Sequence, residues 1–86
     1  MRLLFHDDAW DDYMYWQSAD RKILKRINDL LKDCKRSPFD GIGKPEPLKG
    51  DLFGCWSGRI TDEHRLVYVV ENGTIIVLKC RYHYKK

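Results

Sequence analysis

Three short segments of this chain hold side chains whose types and spacing could do chemistry. They are Lys44-Pro45-Glu46-Pro47-Leu48-Lys49, the pair Arg59 and Arg65, and Arg81-Tyr82-His83-Tyr84. Between them they offer a carboxylate, an imidazole and several fixed cations. Cutting an RNA strand without a metal needs that set: a base for the ribose 2′-hydroxyl proton, an acid for the departing 5′-oxygen, and positive charge for the pentavalent phosphate. The nucleophile is already part of the substrate. Holding it in line is worth about 7 to 11 kcal/mol in the best oriented intramolecular reactions, so a very small domain is enough.

Each candidate also has a plainer reading. Glu46 lies between two prolines that fix the backbone direction, with Lys44 and Lys49 nearby; it is either a base or a solvated loop carboxylate. Arg65 precedes the apolar run Leu66 to Val70, so it is tethered to a strand and can meet phosphate through two parallel hydrogen bonds, or form a rim salt bridge. His83 lies near the end of the last strand between Tyr82 and Tyr84. An imidazole exchanges protons near neutral pH, which suits an acid, although a single histidine near a chain end is commonly decoration. Trp10, Tyr13, Trp16 and Trp56 could stack on bases, but aromatics at helical spacing are expected in the core.

Composition narrows the class. With 86 residues, 43% hydrophobic and 34% charged, the chain is expected to form one globular α+β domain spanning residues 1–86. Its longest apolar runs, Leu66 to Val70 and Ile75 to Leu78, fall far short of the ~20 residues that span a bilayer. The start, Met1-Arg2-Leu3-Leu4-Phe5 followed by Asp7-Asp8, lacks the apolar stretch of a secretory signal, so a cytoplasmic protein is expected. Cys34, Cys55 and Cys80 are odd in number and form no CxxC pair, which disfavours disulfides and structural zinc. The net charge of +3 permits an anionic partner without requiring one.

The elements that must position these groups can be outlined. Arg2 to Phe5 reads as a strand, with Asp7-Asp8 capping a first helix that carries Trp10, Tyr13 and Trp16. Asp20 caps a second helix, whose Ile23, Leu24, Ile27, Leu30, Leu31 and Cys34 form one apolar stripe. The opposite face, with Arg21, Lys22, Lys25, Arg26, Lys32, Lys35 and Arg36, is basic and serves either RNA or solubility. Pro38 ends that helix, and a long loop containing Gly41, Gly43, Pro45 and Pro47 follows. Strands are expected at Leu52 to Cys55, Gly58 to Ile60, His64 to Val70 and Thr74 to Tyr82, giving an antiparallel sheet.

The last hairpin can turn through Asn72-Gly73 alone or through Glu71-Asn72-Gly73 with a bulge, and the choice flips side chains between faces. Only the longer loop, or an equivalent bulge, sets Arg65 and His83 on one face. That register predicts Leu66, Tyr68, Val70, Ile76, Leu78, Cys80 and Tyr82 on the core face.

Four blocks, Trp10-Asp11-Asp12-Tyr13-Met14-Tyr15-Trp16, Gly43-Lys44-Pro45-Glu46-Pro47-Leu48-Lys49, His64-Arg65-Leu66-Val67-Tyr68 and Cys80-Arg81-Tyr82-His83-Tyr84, resemble in order and spacing those of the Txe/YoeB toxins, over residues 1 to 84. The resemblance implies a RelE-like microbial ribonuclease fold, with two N-terminal helices packed on a twisted antiparallel β-sheet. It further implies a metal-independent endoribonuclease without cofactor, acting on messenger RNA in the ribosomal A site. By position in the matching blocks, Glu46 is the implied base, Arg65 the stabiliser of phosphate charge, His83 the acid, and Tyr84 an orienting group. Lys44, Lys49, Arg59 and Arg81 are the implied RNA contacts. A YefM-like antitoxin, operator DNA reached through the antitoxin complex, and a homodimer are the implied partners.

Two features depart from the family pattern. Lys85-Lys86 follow the His83-Tyr84 pair that ends many relatives, and Gly58 stands where relatives often carry the first of two adjacent arginines, which predicts weaker RNA affinity. The competing reading is a silent binding module. It would need the cations but not a carboxylate beside them.

Overall fold

A computed structural model describes residues 1–83 of the chain. Asp20 begins the second helix as expected: its carboxylate accepts hydrogen bonds from the Lys22 and Ile23 backbone N–H groups, satisfying two donors that the first turn leaves open. The helix, α2 (Arg21–Arg36), buries Ile27, Leu30, Leu31 and Cys34. It ends before Ser37-Pro38. The first helix, α1 (Asp7–Ala19), takes His6 rather than Asp7 as its N-cap, with Asp7 and Asp8 in the first turn, where carboxylates favour the helix dipole. α1 buries Ala9 and Trp16 and is tied to α2 by the Tyr13 hydroxyl, which donates to Asn28 Oδ1 at 2.7 Å. Trp10, expected in the core, is half-exposed and stacks edge-on against Phe5.

Five strands form one sheet: β1 (Arg2–Phe5), β2 (Glu46–Pro47), β3 (Trp56–Arg59), β4 (Arg65–Glu71) and β5 (Thr74–Lys79), in the order β1-β5-β4-β3-β2. All neighbours are antiparallel except β1 and β5. The helices cover one face, where Ile27, Leu30 and Leu31 meet Leu66, Tyr68, Ile75 and Val77. A large apolar side chain fully buried there contributes about 1.5 to 3 kcal/mol.

Three sequence expectations are corrected. Leu52 to Cys55 is not a strand: Gly50–Leu52 forms a 3-10 turn, and Gly50 and Gly54 hold positive φ angles of 65° and 99°. The short strand β2 at Glu46–Pro47 stands in what reads as loop. The hairpin closes through Asn72-Gly73 alone, both at positive φ, with Glu71 opposite Thr74. Ile75 and Val77, not Ile76 and Leu78, therefore enter the core. A register shift then opposes Tyr68 to Val77 but Val67 to Lys79, leaving Leu78 as a bulge. Beyond that bulge Cys80 is buried as expected, whereas Tyr82, also expected on the core face, is exposed.

Candidate active site

β3 and β4 set Arg59 directly opposite Arg65, and β2 sets Glu46 directly opposite Ser57. Opposed residues of an antiparallel pair point to the same face, so these four side chains share the face turned away from the core residues Leu66 and Tyr68. With Arg26 of α2 and the loop residues Ile42, Gly43 and Lys44, they line a pocket of about 370 Å³. Its lining carries four cations and one carboxylate, a balance suited to an anion.

The loop that brings in Lys44 and Glu46 is held on three sides. Asp33 of α2 accepts the Ile42 N–H at 3.0 Å and pairs with Arg36 at 2.7 Å, and these bonds hold its carboxyl below the usual carboxylate range. The Gly43 carbonyl accepts the Arg59 N–H at 3.0 Å, while Arg26 Nη2 donates to the Arg59 carbonyl at 2.9 Å. Gly43 itself lies hard against α2, where an added Cβ would stand 2.8 Å from Leu30 Cδ2. Lys44 adopts the left-handed region at φ 48°.

Two arginines facing each other across a strand pair repel, and each is compensated differently. Arg59 pairs with the exposed Asp62 at 2.5 Å. Arg65 has no ion pair among the described residues; its Nη1 donates instead to the carbonyls of Thr61, of Asp62 at 3.2 Å and of His64 at 3.0 Å. Backbone carbonyls orient the guanidinium without cancelling its charge. Among the described residues its Nε and Nη2 donors make no hydrogen bond, which leaves them to meet an anion.

His83 is not among the residues that line this pocket. Its Nε2 lies 3.1 Å from the Asp62 carbonyl oxygen, the same atom that accepts from Arg65. The sequence-predicted pair is thus brought together at one carbonyl beside the pocket. Its backbone carbonyl accepts from Lys79 Nζ at 2.9 Å. The strand expected to run to Tyr82 ends at Lys79, because side chains take over the following peptide groups. Asp12 accepts the Cys80 N–H and Trp16 Nε1 donates to the Cys80 carbonyl, each at 2.9 Å. His64 Nδ1 accepts the Tyr82 N–H at 2.7 Å.

Not every candidate joins the site. Lys49 lies outside the pocket lining, at the entry to the 3-10 turn. Arg81 faces away from it, with its guanidinium 3.6 Å over the Tyr15 ring and 4.7 Å over that of Tyr82. The Tyr84 assignment falls outside the described residues. Gly58 lines the apolar space beside Leu30, Leu66 and Tyr68, so its missing cation is not missing from the pocket wall. Conversely, Ser57 lines the pocket, as does Arg26, which the sequence marks only as one cation of the basic α2 face. Arg26 adjoins Ile27 at the buried edge of α2, but Lys32 adjoins Leu31 and Lys35 adjoins Cys34 in the same way, so the helical stripe alone does not pick it out.

A sequence profile of YoeB-like toxins of bacterial type II toxin-antitoxin systems matches residues 5–84. Toxin YoeB of Escherichia coli K12 is 56% identical over 84 residues, 98% of this chain and all of that one. Among solved structures, a YoeB/ParE toxin from Agrobacterium tumefaciens superposes with a TM-score of 0.93 at 51% identity, covering 98% of this chain and 100% of the other. YoeB of Staphylococcus aureus, solved in a YoeB-YefM complex and as a dimer, superposes with TM-scores of 0.90 and 0.89 at 46% and 47% identity, covering 98% of each chain. Arrangement, profile and near-complete coverage agree: the chain belongs to the YoeB-like toxins of bacterial type II toxin-antitoxin systems.

Proposed function

We propose that this chain is a metal-independent endoribonuclease that cuts messenger RNA in the ribosomal A site. The observation that carries the reading is the meeting of Arg65 and His83 at the Asp62 carbonyl, beside a cationic pocket whose lining has one carboxylate, Glu46. Glu46 takes the proton from the ribose 2′-hydroxyl, and the oxygen attacks the adjacent phosphorus. Arg65, with Arg59 and Lys44 around it, balances the charge that builds on the phosphoryl oxygens. His83 protonates the departing 5′-oxygen. The products are a 2′,3′-cyclic phosphate and a 5′-hydroxyl. Side-chain cations do the work that a metal would otherwise do. Tyr84 orients substrate or His83, while Lys49 and Arg81 act on RNA beyond the reacting phosphate.

Two solved relatives support the partners. The complex with YefM makes a YefM-like antitoxin the proposed inhibitor here, with operator DNA bound through that complex, and the dimer makes self-association the proposed state of the free toxin. A pure binding module would have no use for Glu46 in a phosphate pocket. The test is cleavage of messenger RNA on programmed ribosomes by wild type, Glu46→Ala, Arg65→Ala and His83→Gln. Discrete cuts by wild type, lost in each folded variant, support the assignment; folded wild type that makes no cuts favours the binding module.

A further inference from the structure

The chain contains a second histidine that the reaction does not use and that is built into the fold with unusual care. His64 is 7% exposed, immediately before β4. Its own N–H is held by Thr61 Oγ1 at 3.1 Å, and its carbonyl accepts from Ile60, Thr61 and Arg65 Nη1. The ring stands edge-on to Trp16 with centroids 4.8 Å apart and is tilted against Tyr82 at 5.5 Å. Because Nδ1 accepts the Tyr82 N–H at 2.7 Å, the neutral ring carries its proton on Nε2, which lies 3.7 Å from the Glu63 carboxylate.

Tyr82 immediately precedes His83, so its backbone conformation sets where the His83 residue begins. It is a non-glycine in the left-handed region, at φ 63°, a conformation that must be held from outside. Two bonds hold it: the one to His64, and one from the Arg65 N–H to the Tyr82 carbonyl at 3.1 Å. We propose that His64 is a positioning residue for His83, its neutral imidazole gripping the Tyr82 peptide and thereby setting the His83 ring beside Arg65. The proposal rests on His83 acting as the acid.

Only the unprotonated Nδ1 can accept that bond, so the grip is lost when the ring takes a proton. Burial pushes the His64 pKa down; Glu63 opposes this, and Arg81, His83 and Arg65 add to it. Tyr82 and Trp16 are the other groups packed on the ring. The latch is therefore closed at neutral pH and opens as pH falls below the ordinary histidine value.

The test uses single-turnover cleavage on programmed ribosomes by His64→Leu, which removes the acceptor, and His64→Asn, whose Oδ1 can replace Nδ1. At saturating toxin His64→Leu should be slower by about 10- to 100-fold, the scale of a misplaced catalytic group, with the half-saturating toxin concentration unchanged and His64→Asn largely restored. Full rate in folded His64→Leu, or equal loss in both variants, overturns the proposal. Should His64→Leu not fold, wild type decides: the acid limb of the saturated rate must track the Tyr82 amide signal in an NMR titration, and a rate that holds while that signal moves overturns it. His83→Gln is the control. Full activity there refutes the acid role itself, whereas an inactive His83→Gln beside a fully active His64→Leu refutes only the latch.

Discussion

Replacing Gly43 by alanine tests whether contact between the catalytic loop and α2 sets the position of Glu46. An added Cβ would lie 2.8 Å from Leu30 Cδ2, 3.5 Å from the Gly58 Cα and 3.7 Å from the Arg59 nitrogen. The last two are ordinary contacts, so all of the strain falls on Leu30. That side chain is 2% exposed and has little room to give way. Overpacking of this kind costs about 1 to 3 kcal/mol. Alanine's smaller backbone entropy in the unfolded chain returns about 0.4 to 1 kcal/mol, since Gly43 does not hold a positive φ. The net loss is about 0 to 2.6 kcal/mol, with a midpoint of about 1.3. Leu30→Val removes the clashing Cδ2 together with Cδ1 and moves the branch to Cβ, a net loss of one buried carbon that alone costs about 0.5 to 1.5 kcal/mol. The double variant should then be about 1 kcal/mol more stable than the sum of the singles. Urea unfolding at one fixed protein concentration measures all four corners, and cleavage at saturating toxin should fall in Gly43→Ala and recover in the double variant. Additive stabilities would refute the steric argument.

Other outcomes follow from single contacts. Tyr68 is fully buried and its hydroxyl donates to the Pro38 carbonyl at 2.5 Å, so Tyr68→Phe should cost about 1 to 3 kcal/mol in thermal or urea unfolding. Asp62→Asn releases Arg59 from its ion pair while keeping the backbone carbonyl shared by Arg65 and His83; RNA binding should tighten at low salt, and the gain should fade as salt is raised. For His64 the folded-state pKa lies below the unfolded value, so the unfolded chain binds more protons between the two. Its contribution to stability is complete above about pH 6.5 and lost as pH falls through the folded value, and His64→Asn should flatten that part of a pH series of unfolding midpoints.

How much could be read from sequence depended on whether local pattern or distant contact decided the matter. Asp20 and the stripe from Ile23 to Cys34 were legible because a cap and a helical period are local. The core side of β5 was not, since Ile75, Ile76, Val77 and Leu78 are all apolar and either register buries two of them. The Asn72-Gly73 turn decided the near end and the bulge at Leu78 the far end, where Cys80 is buried; Arg65 and His83 meet beyond the strand, through the bonds that hold Tyr82. Glycines at positive φ overruled the apolar appearance of Leu52 to Cys55. Glu46, Arg65 and His83 were legible by residue type, and the resemblance implied their roles. The bonds that end β5, from Asp12, Trp16 and His64, join residues 68, 64 and 18 apart and leave no local signature.

The most direct test of the central claim replaces one oxygen of the substrate. Messenger RNA carrying a single 2′-deoxynucleotide immediately 5′ of the mapped cut is presented on programmed ribosomes, beside the all-ribose control. Loss of that cut, with the control leaving a 5′-hydroxyl and a 2′,3′-cyclic phosphate, is the predicted result. Cleavage of the deoxy substrate at the control rate would mean that water attacks the phosphorus, and would contradict the role given to Glu46.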